Sequence, residues 1–379
     1  MTKSPVVLTL LLTASACVTS RDATEPRLTR TPESYGPVSF AHCFTFGNTV
    51  HLLGGYRVNE AMSMFNSSGI SYSIDAKSWR LWPMADGPPP KNNFAAVQGM
   101  QGIYLFGGQE QGVAGTRDFF VYRPDVGKWE PAPRSDRLRP RSSPSLTASG
   151  EWLTLFGGKT ADHHNNWGVY NERSRSWKVY GNYTADRTSH IAVSLGRRVL
   201  VWGGFEDQKR TKEGVILDPA NGDVKVLASM PFLEARANAK AVSEGEKVWI
   251  IGGVGDKGSR TDGAAYDDAY QSWQYIPPLP EPDRKDFAIT LIPEVGILLW
   301  GGRDARGRVV TKNYLLNLET RTWREAVLPA QPAMRIAHCL GTTTDDIYIF
   351  GGLTDVPGQG QSLSDELWLL PTSSLSLRD

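Results

Sequence analysis

Seven glycine pairs punctuate this chain, and each one closes an apolar run. They are Gly54-Gly55, Gly107-Gly108, Gly157-Gly158, Gly203-Gly204, Gly252-Gly253, Gly301-Gly302 and Gly351-Gly352. Successive pairs lie 53, 50, 46, 49, 49 and 50 residues apart. A fixed period of this size means one supersecondary unit repeated along the chain, each copy burying its apolar faces against its neighbours.

Two further marks keep the same period. A tryptophan follows most pairs, at Trp79, Trp129, Trp177, Trp273 and Trp323. Seven residues before each stands Tyr72, Tyr122, Tyr170, Tyr266 or Leu316. The fourth unit departs, with Leu217 and Val224 at these places. The other mark precedes the apolar run. It is a basic residue with a histidine or small apolar residue three places on: Lys91 with Phe94, Arg187 with His190, Arg236 with Ala239, Arg284 with Phe287 and Arg335 with His338. The third unit has Arg141 with Pro144, and the first reads Ser39 with His42. Each unit therefore reads as four short strands. In the fifth they are Asn238–Val242, Lys247–Ile251, Gly263–Tyr266 and Ser272–Ile276, rich in β-branched and aromatic residues and bounded by turn formers. The glycines fit strand ends that need positive φ and a close backbone approach.

Glycine pair, tyrosine–tryptophan spacing and basic mark together resemble the kelch repeat over nearly the whole chain. The Gly-His and Trp-Asp marks of the WD40 array are absent. The resemblance implies an all-β fold, a seven-bladed kelch-type β-propeller around a central channel. The seventh unit has only three strands of its own, Ile336–Thr342, Asp346–Phe350 and Glu366–Leu370, followed by the polar stretch Pro371–Asp379. Arg27–Thr31, ahead of the first unit, sits where other units carry a fourth strand, so the N-terminal strand is expected to complete the last blade and remove an exposed edge. Residues 26–379 then form one propeller domain.

The first residues read as an address. A short apolar core, Val6–Leu12, follows Lys3 and precedes Ala14-Ser15-Ala16-Cys17, as in a secretory signal peptide over residues 1–16. The ending resembles a bacterial lipobox, which makes Cys17 the lipidation site, with residues 17–25 as a short tether. Ala14-x-Ala16 also fits ordinary signal cleavage. Val18 rather than aspartate after Cys17 favours the outer membrane, on its periplasmic side or at the cell surface. On this reading the only membrane contact is the lipid. Cys43 and Cys339 each follow Ala-His, which suggests one register and side chains pointing the same way round the ring. Buried core thiols are the favoured reading over a disulfide, although export permits one.

Little in the chain announces chemistry. A net charge of +1 gives no general affinity for polyanions, and no basic stripe interleaved with aromatics suggests nucleic acid. His163 and His164, beside Asp162 and Asn165, lack a third metal ligand, and neither cofactor nor metal is expected. The basic series is the remaining signal. Inner strands start where second strands end, so Lys91, Arg141, Arg187, Arg236, Arg284 and Arg335 share one face with the loops Phe205–Gly214, Val254–Gly263, Arg303–Lys312 and Leu353–Ser364. Loops on the other face, such as Gly99–Gly102 and Glu244–Lys247, are shorter. An exposed arginine rim would bind carboxylates, phosphates or sugar hydroxyls; alternatively the arginines pair with loop acids and hold turns.

Two kelch enzymes offer comparison. Galactose oxidase needs copper ligands that are not visible here. Periplasmic N-acetylneuraminate epimerase carries an arginine followed by Thr-Asp, and Arg260-Thr261-Asp262 is similar, which adds Arg260 to the candidate residues. The epimerase glutamate has no counterpart, since Gly253 stands there, and that enzyme has six blades. The reading is a monomeric, non-enzymatic binding module for a protein or carbohydrate partner, with a sugar-isomerising protein as the alternative.

Overall fold

The computed structural model describes residues 25–378 except 58–65, 162–165, 182–185, 229, 231, 282, 329, 331 and 357–359. The leading residues 1–24, Cys17 among them, and the His163-His164 loop lie outside the described residues.

The described chain is almost entirely antiparallel strand, with a single short 3-10 turn at Thr372–Ser374. Its strands form seven sheets of four or five strands, in the blade arrangement of a β-propeller, plus two small three-stranded sheets. The second sheet is typical. Ala95–Gln98, Ile103–Phe106, Phe119–Arg123 and Lys128–Pro131 lie side by side in chain order. Second strands are the most deeply buried, as in Ile103–Phe106, Gly296–Trp300 and Asp346–Phe350. Both faces of such a strand meet neighbouring sheets, which is why it reads as a continuous apolar run.

The tyrosine–tryptophan spacing is a hairpin between the third and fourth strands. Tyr72 stands opposite Trp79, Tyr122 opposite Trp129, Tyr170 opposite Trp177 and Tyr266 opposite Trp273. Their ring centroids lie 4.7 to 5.5 Å apart, within the range of favourable cross-strand aromatic pairs. Leu217 and Val224 fill the same opposition in the fourth sheet.

Arg27–Arg30 pairs antiparallel with Glu366–Pro371 as the outer strand of the last sheet. The Arg27 guanidinium meets the buried carboxylate of Asp346. At the other end, Ser376–Arg378 adds a fifth strand beside Trp323–Val327 of the sixth sheet. The polar tail gave no strand signal, because three residues on an outer edge need no apolar alternation.

Cys43 and Cys339 form a disulfide with Cα atoms 6.1 Å apart, which corrects the reading of two core thiols. The error was one of register. Cys339 pairs with Phe350, the residue directly before its glycine pair, and His42 rather than Cys43 takes that place opposite Leu53. One residue along a strand reverses the side-chain direction, so the two sulfurs face each other across the gap between the first and last sheets. The same shift moves the first unit's basic mark. Gly352 N–H donates to Val38 O just as Gly302 N–H donates to Arg335 O, so Val38 and not Ser39 holds the basic position.

Two outcomes follow. Deleting residues 25–31 should bare the edge of Glu366–Pro371 and leave Asp346 unpaired, lowering unfolding free energy in urea by several kcal/mol; an unchanged midpoint would show that the pairing contributes nothing. His51 is 3% exposed, and burial lowers its pKa to about 4. The unfolded ring protonates near its ordinary pKa of about 6.5, so the stability it permits is complete above that pH and is lost as pH falls toward 4. Between pH 7.5 and 5.0 this costs about 2 kcal/mol, and His51→Gln should shrink the measured pH dependence by that amount.

Candidate functional site

Each glycine pair takes positive φ at both residues, near +70° and then +95°, as at Gly107 (+69°) and Gly108 (+95°). The room is as restrictive as the torsion. A Cβ on Gly157 would lie 2.5 Å from the Arg187 carbonyl oxygen of the next sheet. The second glycine donates its N–H to that same neighbouring residue: Gly108 to Arg141, Gly158 to Arg187, Gly204 to Arg236, Gly302 to Arg335 and Gly352 to Val38, at 2.8 to 3.1 Å.

The side chain of the basic residue then turns back into its own sheet. Arg236 donates through Nη1 to Gly252 O at 3.2 Å and to Asp262 Oδ1 at 2.9 Å. Arg335 donates to Gly351 O at 3.1 Å, to Ser364 Oγ at 2.9 Å and to Glu366 Oε2 at 2.9 Å. Arg141 reaches Gly157 O at 3.1 Å and both oxygens of Asn166. Arg187 pairs with Glu206 at 2.6 Å, and Lys91 with Glu110 and Asp118, each at 3.1 Å. All six basic side chains, Arg284 included, are at most 1% exposed. The exposed basic rim expected from the sequence is therefore corrected: these cations are interior staples joining a strand entry, a glycine turn and a third strand. Arg260 is the partly exposed member, bound to Glu234, while its neighbour Asp262 pairs with Arg236.

What the basic face opens to solvent is a cavity of about 780 Å³ beside the inner strand entries of the first four sheets. Phe40, Tyr56, Phe94, Asn93, Ser143 and Ser189 are among the residues that line it, together with His42 and His190. The staples place these residues. Two positions after each basic position the backbone is left-handed, at Phe40, Asn93, Ser143, Ser189, Asn238, Asp286 and Ala337. Five of the seven are Asn, Ser or Asp, and the polar side chain of Asn and Asp tolerates this conformation best. Phe40 does not belong to that class, and its ring is 59% exposed, edge-on to Tyr56 at 5.6 Å. Neighbouring members bond to each other: Phe40 N–H to Ala337 O at 2.8 Å and Ser143 N–H to Asn93 O at 2.7 Å.

Burial lowers His42 to about 4 and His190 to about 3. Both rings are neutral at physiological pH; His190 Nε2 shares a 2.9 Å hydrogen bond with Ser145 Oγ, and His42 packs on Phe94 at 5.1 Å. Among the described lining residues there is no carboxylate, so the cavity offers aromatic surface, hydroxyls and amides. Of the sequence candidates, Lys91 lines this cavity and Arg284 a separate one. Phe40 and Tyr56 were missed. A large aromatic residue where five of the seven repeats carry Asn, Ser or Asp was the available signal.

Comparison with known proteins agrees with the repeat. The family model described as the KLHDC2/KLHL20/DRC7 Kelch-repeats domain matches residues 94–294, over half of the chain. Similar proteins include Kelch domain-containing protein 1 of Mus musculus, 23% identical over 342 residues that cover 79% of this chain and 82% of the relative. Kelch domain-containing protein 3 of Homo sapiens is 23% identical over 329 residues, covering 78% of this chain and 85% of the relative. The flagellar outer-arm dynein alpha chain of Chlamydomonas reinhardtii is 26% identical over 258 residues, 59% of this chain. The match spans only 6% of that dynein chain and 38% of Kelch-like protein 35 of Mus musculus.

The staples predict a sharp contrast. Arg236→Met removes one partner of a buried pair and should cost about 3 kcal/mol. Arg303→Met breaks a pair with Asp286 that is more than a third exposed on both sides and should cost under about 1 kcal/mol. Equal losses in urea unfolding would refute the distinction.

Proposed function

Because the chain belongs to the kelch-repeat family, we propose that it is an exported, lipid-anchored propeller that binds a partner protein at the cavity on its basic face. Its seven sheets close into one ring. Support for closure comes from the packing of His42–Phe46 against Cys339–Thr342, the Cys43–Cys339 bridge between them, and the strand Arg27–Arg30 in the last sheet. Support for export comes from the signal-like Val6–Cys17 segment and from the disulfide, a bond that persists in oxidising compartments.

The observation that carries the binding site is Phe40. A large exposed ring on left-handed backbone is unfavourable for the free protein, both in torsion and in hydration. It sits at the lip of a cavity whose size suits an inserted side chain or short segment. Aromatic anchors in a partly apolar pocket with a polar surround are the usual centre of a protein interface. In this reading the basic series serves binding indirectly, by fixing the loop entries that frame the cavity. A sugar-isomerising site would call for a carboxylate at the mouth, and no observation favours that alternative.

A photoreactive phenylalanine analogue at Phe40, in cells of the source organism, should give discrete cross-linked adducts. The same analogue at Met100, 57% exposed in an opposite-face loop, should give none. Adducts from Met100 alone would place the binding face on the other side. For the anchor, wild type should incorporate labelled fatty acid and Cys17→Ser should not; an unlabelled, soluble wild type indicates ordinary secretion.

A further inference from the structure

The sixth sheet breaks the charge pattern of the staples. The position entering the third strand is Asp118, Glu213, Asp262 and Glu366 in the second, fourth, fifth and seventh sheets, and Asn166 in the third. In the sixth it is Lys312. Lys312 turns outward to Glu325 at 3.3 Å and cannot neutralise a guanidinium. Arg284 consequently donates only through Nη2, to the Lys312 carbonyl. Its Nε and Nη1 are buried without a partner, and among the described residues no carboxylate stands within ion-pair distance. The guanidinium lies over the Tyr314 ring at 5.7 Å and is 1% exposed.

A buried cation without an ion-pair partner is costly, and this one borders a cavity of about 570 Å³. The same wall carries Glu281 and Asp283, while Asp304 there is already engaged by Arg308. The cavity thus presents an unpaired guanidinium in its wall and, among the described residues, two carboxylates outside any ion pair. No ion pair has to break for Arg284 to turn toward an incoming group.

We propose that this cavity binds a small zwitterion, a free amino acid, whose carboxylate pairs with Arg284 and whose ammonium group meets Glu281 and Asp283. The ligand carboxylate takes the place that Asp118, Asp262 and Glu366 fill in other sheets. The bidentate geometry of guanidinium and carboxylate suits this substitution. A polyanion is disfavoured by the acidic wall, and a simple monocarboxylate gains only half of the contacts.

The full mature protein would be screened by thermal shift against the twenty common amino acids, one at a time. The best hit, its amide and its N-acetyl derivative would then be titrated calorimetrically. We expect at least one amino acid to raise the melting temperature, and affinity to fall at least tenfold when either charged group is masked. Lys312→Asp supplies an internal counter-ion and should abolish binding while raising the melting temperature of the free protein. Lys312→Met, which removes the lysine without supplying an acid, should still bind. Phe40→Asp should also bind, which separates this site from the Phe40 cavity. No shift with any amino acid, or undiminished binding by Lys312→Asp, overturns the proposal.

Discussion

One backbone hydrogen bond, repeated between sheets, organises this molecule. The second glycine of a pair reaches the carbonyl of the residue that opens the next sheet. That approach leaves no space for a side chain on the glycine and requires a torsion that other residues resist. Once it forms, the residue on the receiving side is fixed in place, and its buried cation finds its own sheet's glycine turn within reach. Sheet-to-sheet spacing, loop entry and burial of the basic series are thus a single linked arrangement.

The linkage explains what the sequence disclosed. Glycines and tyrosine–tryptophan pairs are legible because each is required by a local rule: a forbidden torsion, or a cross-strand opposition at hairpin spacing. The fate of the arginines was not legible, because a cation four residues before a strand looks the same whether it faces water or a carbonyl. Burial was decided by Gly252 O, Asp262 and their equivalents, which lie 16 and 26 residues away. The cysteines failed for a similar reason. Identical Ala-His-Cys triplets suggested identical registers, but register is set by the partner strand, and the two hairpins differ by one place. The Ser376–Arg378 strand shows the converse limit, since a short edge pairing is specified by the neighbour and hardly at all by its own residues.

Departures from a repeat carry more information about function than the repeat itself. Conformity at Arg236 and Arg335 describes how the propeller holds together. Phe40, where polar residues recur, and Lys312, where acids recur, both depart from that logic: one leaves a ring exposed, the other leaves Arg284 without an acid. Positions that break local consistency are the ones at which functional sites are expected.

The direction of the outer strand Arg27–Arg30 has a consequence for orientation. Arg30 pairs with Glu366 near the glycine turns, whereas Arg27 pairs with Leu369 and reaches Asp346 at the far hairpin. The described chain therefore enters the last sheet on its outer edge, from the end opposite the glycine turns. A tether of the proposed kind, joined at that end, would leave the Phe40 cavity facing away from its point of attachment.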